Sequence, residues 1–106
     1  MAAIPINRIQ FLQMIQHDKP VLVNFLSPWC TYCRRIAPAF HRIAEEYRDR
    51  LSAVTVSIDE EIQLAEAEEI EAIPTLVLYQ SGRAIGSIVT PDSKAMIERF
   101  LQTTLP

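Results

Sequence analysis

Trp29-Cys30-Thr31-Tyr32-Cys33 holds the only two cysteines of the chain, and its flanks decide how it is read. Before it runs Pro20-Val21-Leu22-Val23-Asn24-Phe25-Leu26, nearly continuous apolar, as a central strand covered on both faces should be. After it the apolar spacing turns helical, with Ile36, Phe40, Ile43, Ala44 and Tyr47 on one face. The two thiols therefore stand where a strand ends and a helix begins. Unpaired N–H groups and the positive end of the helix dipole stabilise a thiolate there. A cysteine so placed can have a pKa well below its free value of about 8.5. Two intervening residues on a first helical turn also let the second sulfur reach the first and close a small ring. The rest of the chain is read as the frame that holds and aims this pair.

A chain of 106 residues, 49% of them hydrophobic, has the size of one domain (residues 1–106) and can bury a core without staples. The cysteines are thus not required for stability. The net charge of −3 and the lack of any basic stripe argue against nucleic-acid binding. No apolar run approaches the roughly 18 residues of a membrane span. Met1-Ala2-Ala3-Ile4-Pro5-Ile6 lacks the basic n-region and long apolar h-region of a signal peptide. The expected setting is a reducing cytoplasm, where a close cysteine pair is catalytic or metal-binding rather than structural. Zinc asks for a tetrahedral ligand set, and His17 and His41 stand at no finger spacing, so no metal is expected.

Taken in order, residues 2–6 are apolar and contain Pro5, which suits only an edge strand. Asn7 and Gln10 form a capping-box pattern ahead of a helix over 8–17, with Ile9, Leu12 and Ile15 inward. A strand over 21–26 and a helix over 31–49 follow, with Pro38 predicted to kink the latter. Residues 51–58 form a second long strand. Residues 59–71 carry over half the acids of the chain, and Ile62, Ala65 and Glu69 mark a short helix through them. Ile73-Pro74-Thr75 leads into Leu76-Val77-Leu78-Tyr79, and a turn with Gly82 at positive φ pairs this strand with 84–90. Asp92 or Ser93 caps a last helix that turns Met96, Ile97, Phe100 and Leu101 inward. The order β-α-β-α-β-α-β-β-α implies an α/β fold with a mixed sheet of four to five strands and helices on both faces.

Val21 to Phe25, Trp29-Cys30-x-x-Cys33, Pro38, Ile58-Asp59, Ile73-Pro74-Thr75, the Gly82 turn and the last helix together resemble the thioredoxin family from end to end. The resemblance implies a thioredoxin fold and named roles. Cys30 is the exposed nucleophile that attacks a substrate disulfide, and Cys33 is the resolving thiol. Pro74 is cis and sets the Ile73 backbone beside the sulfurs, while Trp29 flanks the site.

The departures from the family pattern bear on partners and potential. Thr31-Tyr32 stands between the cysteines where the family has Gly-Pro, and is closer to glutaredoxin and disulfide-isomerase sites. Asn24 replaces a buried Asp that helps move the resolving thiol's proton, and an amide cannot be a general base. Thr55 replaces the Lys opposite that Asp, so acid and basic partner are absent together. Ala72 and Thr90 replace substrate-facing glycines, and Glu71 adds charge nearby.

On these grounds the chain is expected to be a monomeric, cofactor-free thiol–disulfide oxidoreductase, less reducing than a typical thioredoxin. Disulfide-bearing proteins are the expected substrates, with a thioredoxin reductase or the glutathione system as electron source. Trp29, Thr31, Tyr32, Ile73, Pro74 and Thr90 would contact substrate, while Asn24, Thr55 and Pro38 would support the pair from behind. Asn24 is further expected to be a hydrogen-bonded core amide. Thr31 could offer its hydroxyl to Cys30, and Arg34 and Arg35 either lower the Cys30 pKa or form a solvated face. The alternative is a peptide- or protein-binding module that uses the groove around Pro74, with redox activity secondary.

Overall fold

The computed structural model describes residues 3–106. Ala2, the first residue of the expected edge segment, lies outside them, and the strand itself is Ile4–Pro5 (β1). Asn7 then caps helix α1 (Arg8–Met14). Its side chain accepts from the Gln10 N–H at 2.9 Å, and the Gln10 side chain accepts from the Asn7 N–H at 2.9 Å. This reciprocal pairing is the predicted capping box.

Of the residues predicted to face inward from α1, Ile15 is buried, while Ile9 and Leu12 are exposed and buried Phe11 takes their place. Phe11 and Ile15, four residues apart, meet Val23, Phe25 and Tyr79 of the sheet, with the Phe11 ring edge-on to Tyr79 at 5.0 Å. The aromatic side chain has more apolar surface to bury than either rival, and it takes the core position.

Five strands form one mixed sheet in the order β1-β3-β2-β4-β5, with β2 at Val21–Leu26, β3 at Ser52–Ser57, β4 at Thr75–Gln80 and β5 at Arg83–Val89. Strands β1, β3 and β2 run parallel, β4 is antiparallel to β2, and β5 is antiparallel to β4. Every residue of β2 but Leu26 is buried, as a central strand covered on both sides requires. Ser81 (φ 52°) and Gly82 (φ 87°) close the β4–β5 hairpin in the left-handed region, the geometry whose twist suits a two-residue hairpin turn.

Helices cover both faces. Leu22, Leu76 and Leu78 pack under Ile36, Phe40 and Ile43 of α2 (Thr31–Glu46) and Ile97 and Leu101 of α4 (Lys94–Thr104). Val23, Phe25, Val56 and Val77 pack under α1 and Leu64 of α3 (Ile62–Ala67). Burying Phe40 and Ile43 contributes about 1.5–3 kcal/mol each. In α3, Leu64 and Ala65 turn inward, and Ile62, one of the residues that mark the helix in the sequence, is exposed. Ser93, rather than Asp92, caps α4 by accepting from the Met96 N–H at 3.2 Å. Gly86 lets α4 dock on β5, since a Cβ there would lie 2.6 Å from the Thr104 methyl. Among the described residues, no helix is long and apolar enough to cross a membrane.

Candidate active site

Strand β2 delivers the chain to the site. It ends at Leu26, and Ser27 to Trp29 form the turn that leads into α2. The Cys30 N–H donates to the Ser27 carbonyl at 3.2 Å, which closes that turn. Cys30 is the N-cap of α2, with extended backbone (φ −85°, ψ 116°). Its sulfur takes the place of a capping oxygen, accepting from the Cys33 N–H at 3.1 Å. One otherwise unpaired N–H of the first turn therefore points at the Cys30 sulfur, which a thiolate satisfies better than a thiol.

The two thiols are free and differ in exposure. Cys30 is half-exposed, and Cys33, one turn inside the helix, is buried. Burial, and then the Cys30 sulfur beside it, push the Cys33 thiol from an ordinary 9.0 up to about 12. The arrangement thus presents one accessible sulfur on a donor-rich helix end and holds the other protonated beneath it.

The Ile73–Pro74 bond is cis, and the Ile73 carbonyl oxygen lies 3.9 Å from the Cys30 sulfur. Pro74 is buried and its carbonyl accepts from the Thr90 N–H at 2.7 Å. Thr90 is exposed and holds φ 44°, a left-handed conformation that a β-branched residue rarely adopts. The start of β4, next to β2 in the sheet, therefore sets Ile73 against the Cys30 sulfur, with Pro74 following it in the chain and Thr90 bonded to Pro74. Trp29, 82% exposed, and Tyr32, 60% exposed, flank them with apolar surface open to a partner.

Thr31 makes no hydrogen bond to the Cys30 sulfur, which is served by the Cys33 N–H instead. Arg34 donates to the Pro28 carbonyl at 3.4 Å, and the Arg35 guanidinium sits 5.7 Å from the Tyr32 ring centroid. Both arginines therefore have partners other than the sulfurs. Pro38 lies within α2, as expected, and offers no N–H to the carbonyl one turn earlier.

Asn24 and Thr55 are in register on β2 and β3. Alternation along each strand puts them on the face that carries Leu22 and Ala53, under α2. Asn24 departs from expectation in one respect. It is buried, yet its Oδ1 has no hydrogen-bond partner among the described residues. An amide oxygen left so costs about 1–3 kcal/mol. Thr55, in register with it, and Ser57, two residues on along β3, both carry hydroxyls, yet neither donates to it, and the buried Ser57 Oγ is likewise unpartnered among the described residues.

Ser27 and Asp59 have no role on sequence grounds, but the fold joins them. Buried Ser27 donates its Oγ–H to Asp59 Oδ2 at 2.7 Å and accepts from the Trp29 N–H at 3.3 Å. This ties the turn before Cys30 to the end of β3. The Ser27-Pro28 dipeptide, a turn-initiating pair, was the available local signal. Asp59 stands out in the sequence only as part of the Ile58-Asp59 pair that carries the resemblance, with no bond to Ser27 implied.

A model of the thioredoxin family matches residues 2–103. The chain is 34% identical over 104 residues to a thioredoxin of Alicyclobacillus acidocaldarius subsp. acidocaldarius, covering 98% of this chain and 99% of that one. It is 33% identical over 96 residues to the bifunctional thioredoxin reductase/thioredoxin of Mycobacterium leprae (strain TN). That match covers 91% of this chain and spans only 21% of the larger protein. Among solved structures, Malassezia sympodialis thioredoxin (Mala s 13) superposes with a TM-score of 0.89 at 27% identity, covering 98% of this chain and 91% of that one.

Proposed function

Since the chain belongs to the thioredoxin family and is a thiol–disulfide oxidoreductase, we propose that Cys30 attacks and Cys33 resolves. The observation that carries this assignment is the contrast between the two sulfurs. Cys30 is half-exposed at the α2 N-cap with an N–H aimed at it, and Cys33 is buried with its pKa pushed up to about 12.

The exchange balances as follows. The Cys30 thiolate attacks one sulfur of a partner disulfide, a mixed disulfide forms, and the partner's other sulfur leaves as a thiolate. Cys33 then loses its proton and attacks the Cys30 sulfur. The intramolecular disulfide forms, and the second partner thiol is released. Two electrons pass from the dithiol to the partner. In the free dithiol, a pKa of about 12 leaves on the order of one Cys33 in a hundred thousand ionised at neutral pH. Part of that elevation comes from the Cys30 sulfur, and it lapses when Cys30 is bonded to the partner. The larger part, burial, remains. Asn24 cannot take the proton, so resolution in this reading depends on hydroxide or on the partner's departing thiolate.

Trp29, Thr31, Tyr32, Ile73, Pro74 and Thr90 form the contact surface, with the Ile73 backbone beside the Cys30 sulfur to pair with a substrate strand. Pro38, Asn24 and Thr55 shape the helix and sheet behind the sulfurs. The substrates are disulfide-bearing proteins. A thioredoxin reductase is the favoured electron donor, supported by the joining of the two activities in one Mycobacterium leprae chain. The setting proposed is a reducing cytoplasm, with the protein acting as a monomer.

The Thr31-Tyr32 dipeptide supports a potential less reducing than thioredoxin's. Equilibration in glutathione buffers, quenched with acid and read by mass, tests both statements. A value between about −230 and −120 mV is expected. A value near about −270 mV would remove the argument from Thr31 and Tyr32. Absence of any reversible two-electron couple would overturn the assignment of the cysteines and leave a binding module.

A further inference from the structure

A groove of about 570 Å³ opens on the α3 side of β4 and β5, away from α2 and α4. Val77 and Tyr79 form part of its floor, and β5, the outer strand of the sheet, forms one wall. That wall keeps apolar surface in water, with Val89 56% and Ile85 36% exposed. The opposite wall is the segment after α3, where Glu68, Glu69 and Glu71 line the groove and no Lys, Arg or His does.

The three carboxylates are not equivalent. Glu68 accepts from the Tyr79 hydroxyl at 2.6 Å, and burial, with this bond added to it, pushes the Tyr79 phenol upward. Glu69 and Glu71 are exposed and take part in no ion pair among the described residues, where the ion pairs are those of Lys94 with Glu46 and Glu98. Glu69 is held at φ 58°, so this part of the wall turns sharply. The result is an apolar trough with unneutralised negative charge along one side.

The trough begins beside the redox site. Ala72 and Val89 line one end, and their chain neighbours Ile73 and Thr90 lie against Cys30 and Pro74. It runs from there along β4 from Thr75 to Tyr79. At about 3.3 Å per residue, that length receives roughly four residues of extended chain.

We propose that this groove receives the extended segment beside the reactive cysteine of a substrate protein, and that the segment is basic, with Lys or Arg facing Glu69 and Glu71 and apolar residues between them. The inference rests on the oxidoreductase reading above and adds a substrate class to it. Complementary charge speeds encounter, and an acidic segment meets like charge at both carboxylates. A neutral apolar segment fills the trough but gains nothing from its wall.

The test uses the full-length reduced protein and peptides in which a cysteine, flanked on both sides by four-residue segments, is disulfide-bonded to 2-mercaptoethanol. The segments are basic, neutral or acidic, and bis(2-hydroxyethyl) disulfide serves as an uncharged reference. Rates of thiol release are expressed relative to that reference for each protein. The basic peptide is expected to react about tenfold faster than the acidic one at low salt. Added salt near about 0.5 M should compress this ratio, and E69Q/E71Q should bring it to about twofold or less. Equal rates for all three peptides, or a charge preference that survives E69Q/E71Q, would overturn the groove proposal. A wild-type dimer in sedimentation that E69Q/E71Q dissolves would also overturn it, by assigning the groove to a second copy. Failure of the wild-type protein to reduce the uncharged reference would strike the oxidoreductase reading instead, so the two failures are distinct.

Discussion

Ser27 donates its hydroxyl to the Asp59 carboxylate at 2.7 Å, joining the turn before Cys30 to a residue 32 positions away. The same oxygen accepts the Trp29 N–H, so one buried hydroxyl fixes the last residues before Cys30. Ser27→Ala and Asp59→Ala should each destabilise the reduced protein, and a double-mutant cycle in urea should give a coupling of about 0.5–1.5 kcal/mol. Ser27→Ala should also slow alkylation of Cys30, because the helix end is then less well held. Additive single effects would show that the bond does not contribute.

The raised pKa of Cys33 predicts a pH dependence of stability with a definite sign. The unfolded chain releases the Cys33 proton near 9.0 and the folded chain only near about 12. Between those values the unfolded state is favoured, so the contribution is full below about 9 and is lost as pH rises toward about 12. The difference in unfolding free energy between the reduced wild-type protein and Cys33→Ala should shrink steadily through that window. A pH-independent difference would mean that Cys33 is not buried as described.

Asn24→Asp would place a carboxyl under α2 with Thr55 in register and no cation opposite. It should lower stability at neutral pH by about 1–3 kcal/mol. It should also speed release of a trapped mixed disulfide, since a carboxylate can accept the Cys33 proton. Adding Thr55→Lys should recover part of the stability. Release kinetics unchanged by Asn24→Asp would rule out a proton-transfer role for this position.

Thr90 holds φ 44° while its N–H stays bonded to the Pro74 carbonyl. A β-branched residue in that region stores about 1 kcal/mol or more of strain. Thr90→Gly should therefore raise the urea midpoint slightly, with a net gain in unfolding free energy of about 0.5 kcal/mol once the added freedom of the unfolded chain is counted. It should also widen the substrate surface. A lowered midpoint would show that the threonine side chain is held by favourable contacts that outweigh the strain.

Legibility in the sequence followed the range of the interactions concerned. The capping box of α1, the apolar run of β2, the left-handed Gly82 and the cysteines at a strand–helix junction are short-range features. Each is decided by residues a few positions apart. The α1 and α3 faces were harder to read because several apolar stripes were available on each helix. Which stripe turns inward depends on the sheet residues it meets, and the rings of Phe25 and Tyr79 favour Phe11 over Ile9.

Sequence alone therefore determined the element order, the mixed α/β class and the cysteine pair, since period, turn chemistry and motif spacing are written locally. Only the tertiary structure decided what those cysteines experience. The strand order β1-β3-β2-β4-β5 carries the Ile73 carbonyl to 3.9 Å from Cys30 across 43 residues of chain and sets Asp59 against Ser27. It also leaves Asn24 Oδ1 without a partner and lines one groove with carboxylates alone among charged groups. These features depend on which distant surfaces exclude water from a group and which donors or charges come with them. No local pattern encodes that, because desolvation and electrostatics are properties of the assembled neighbourhood.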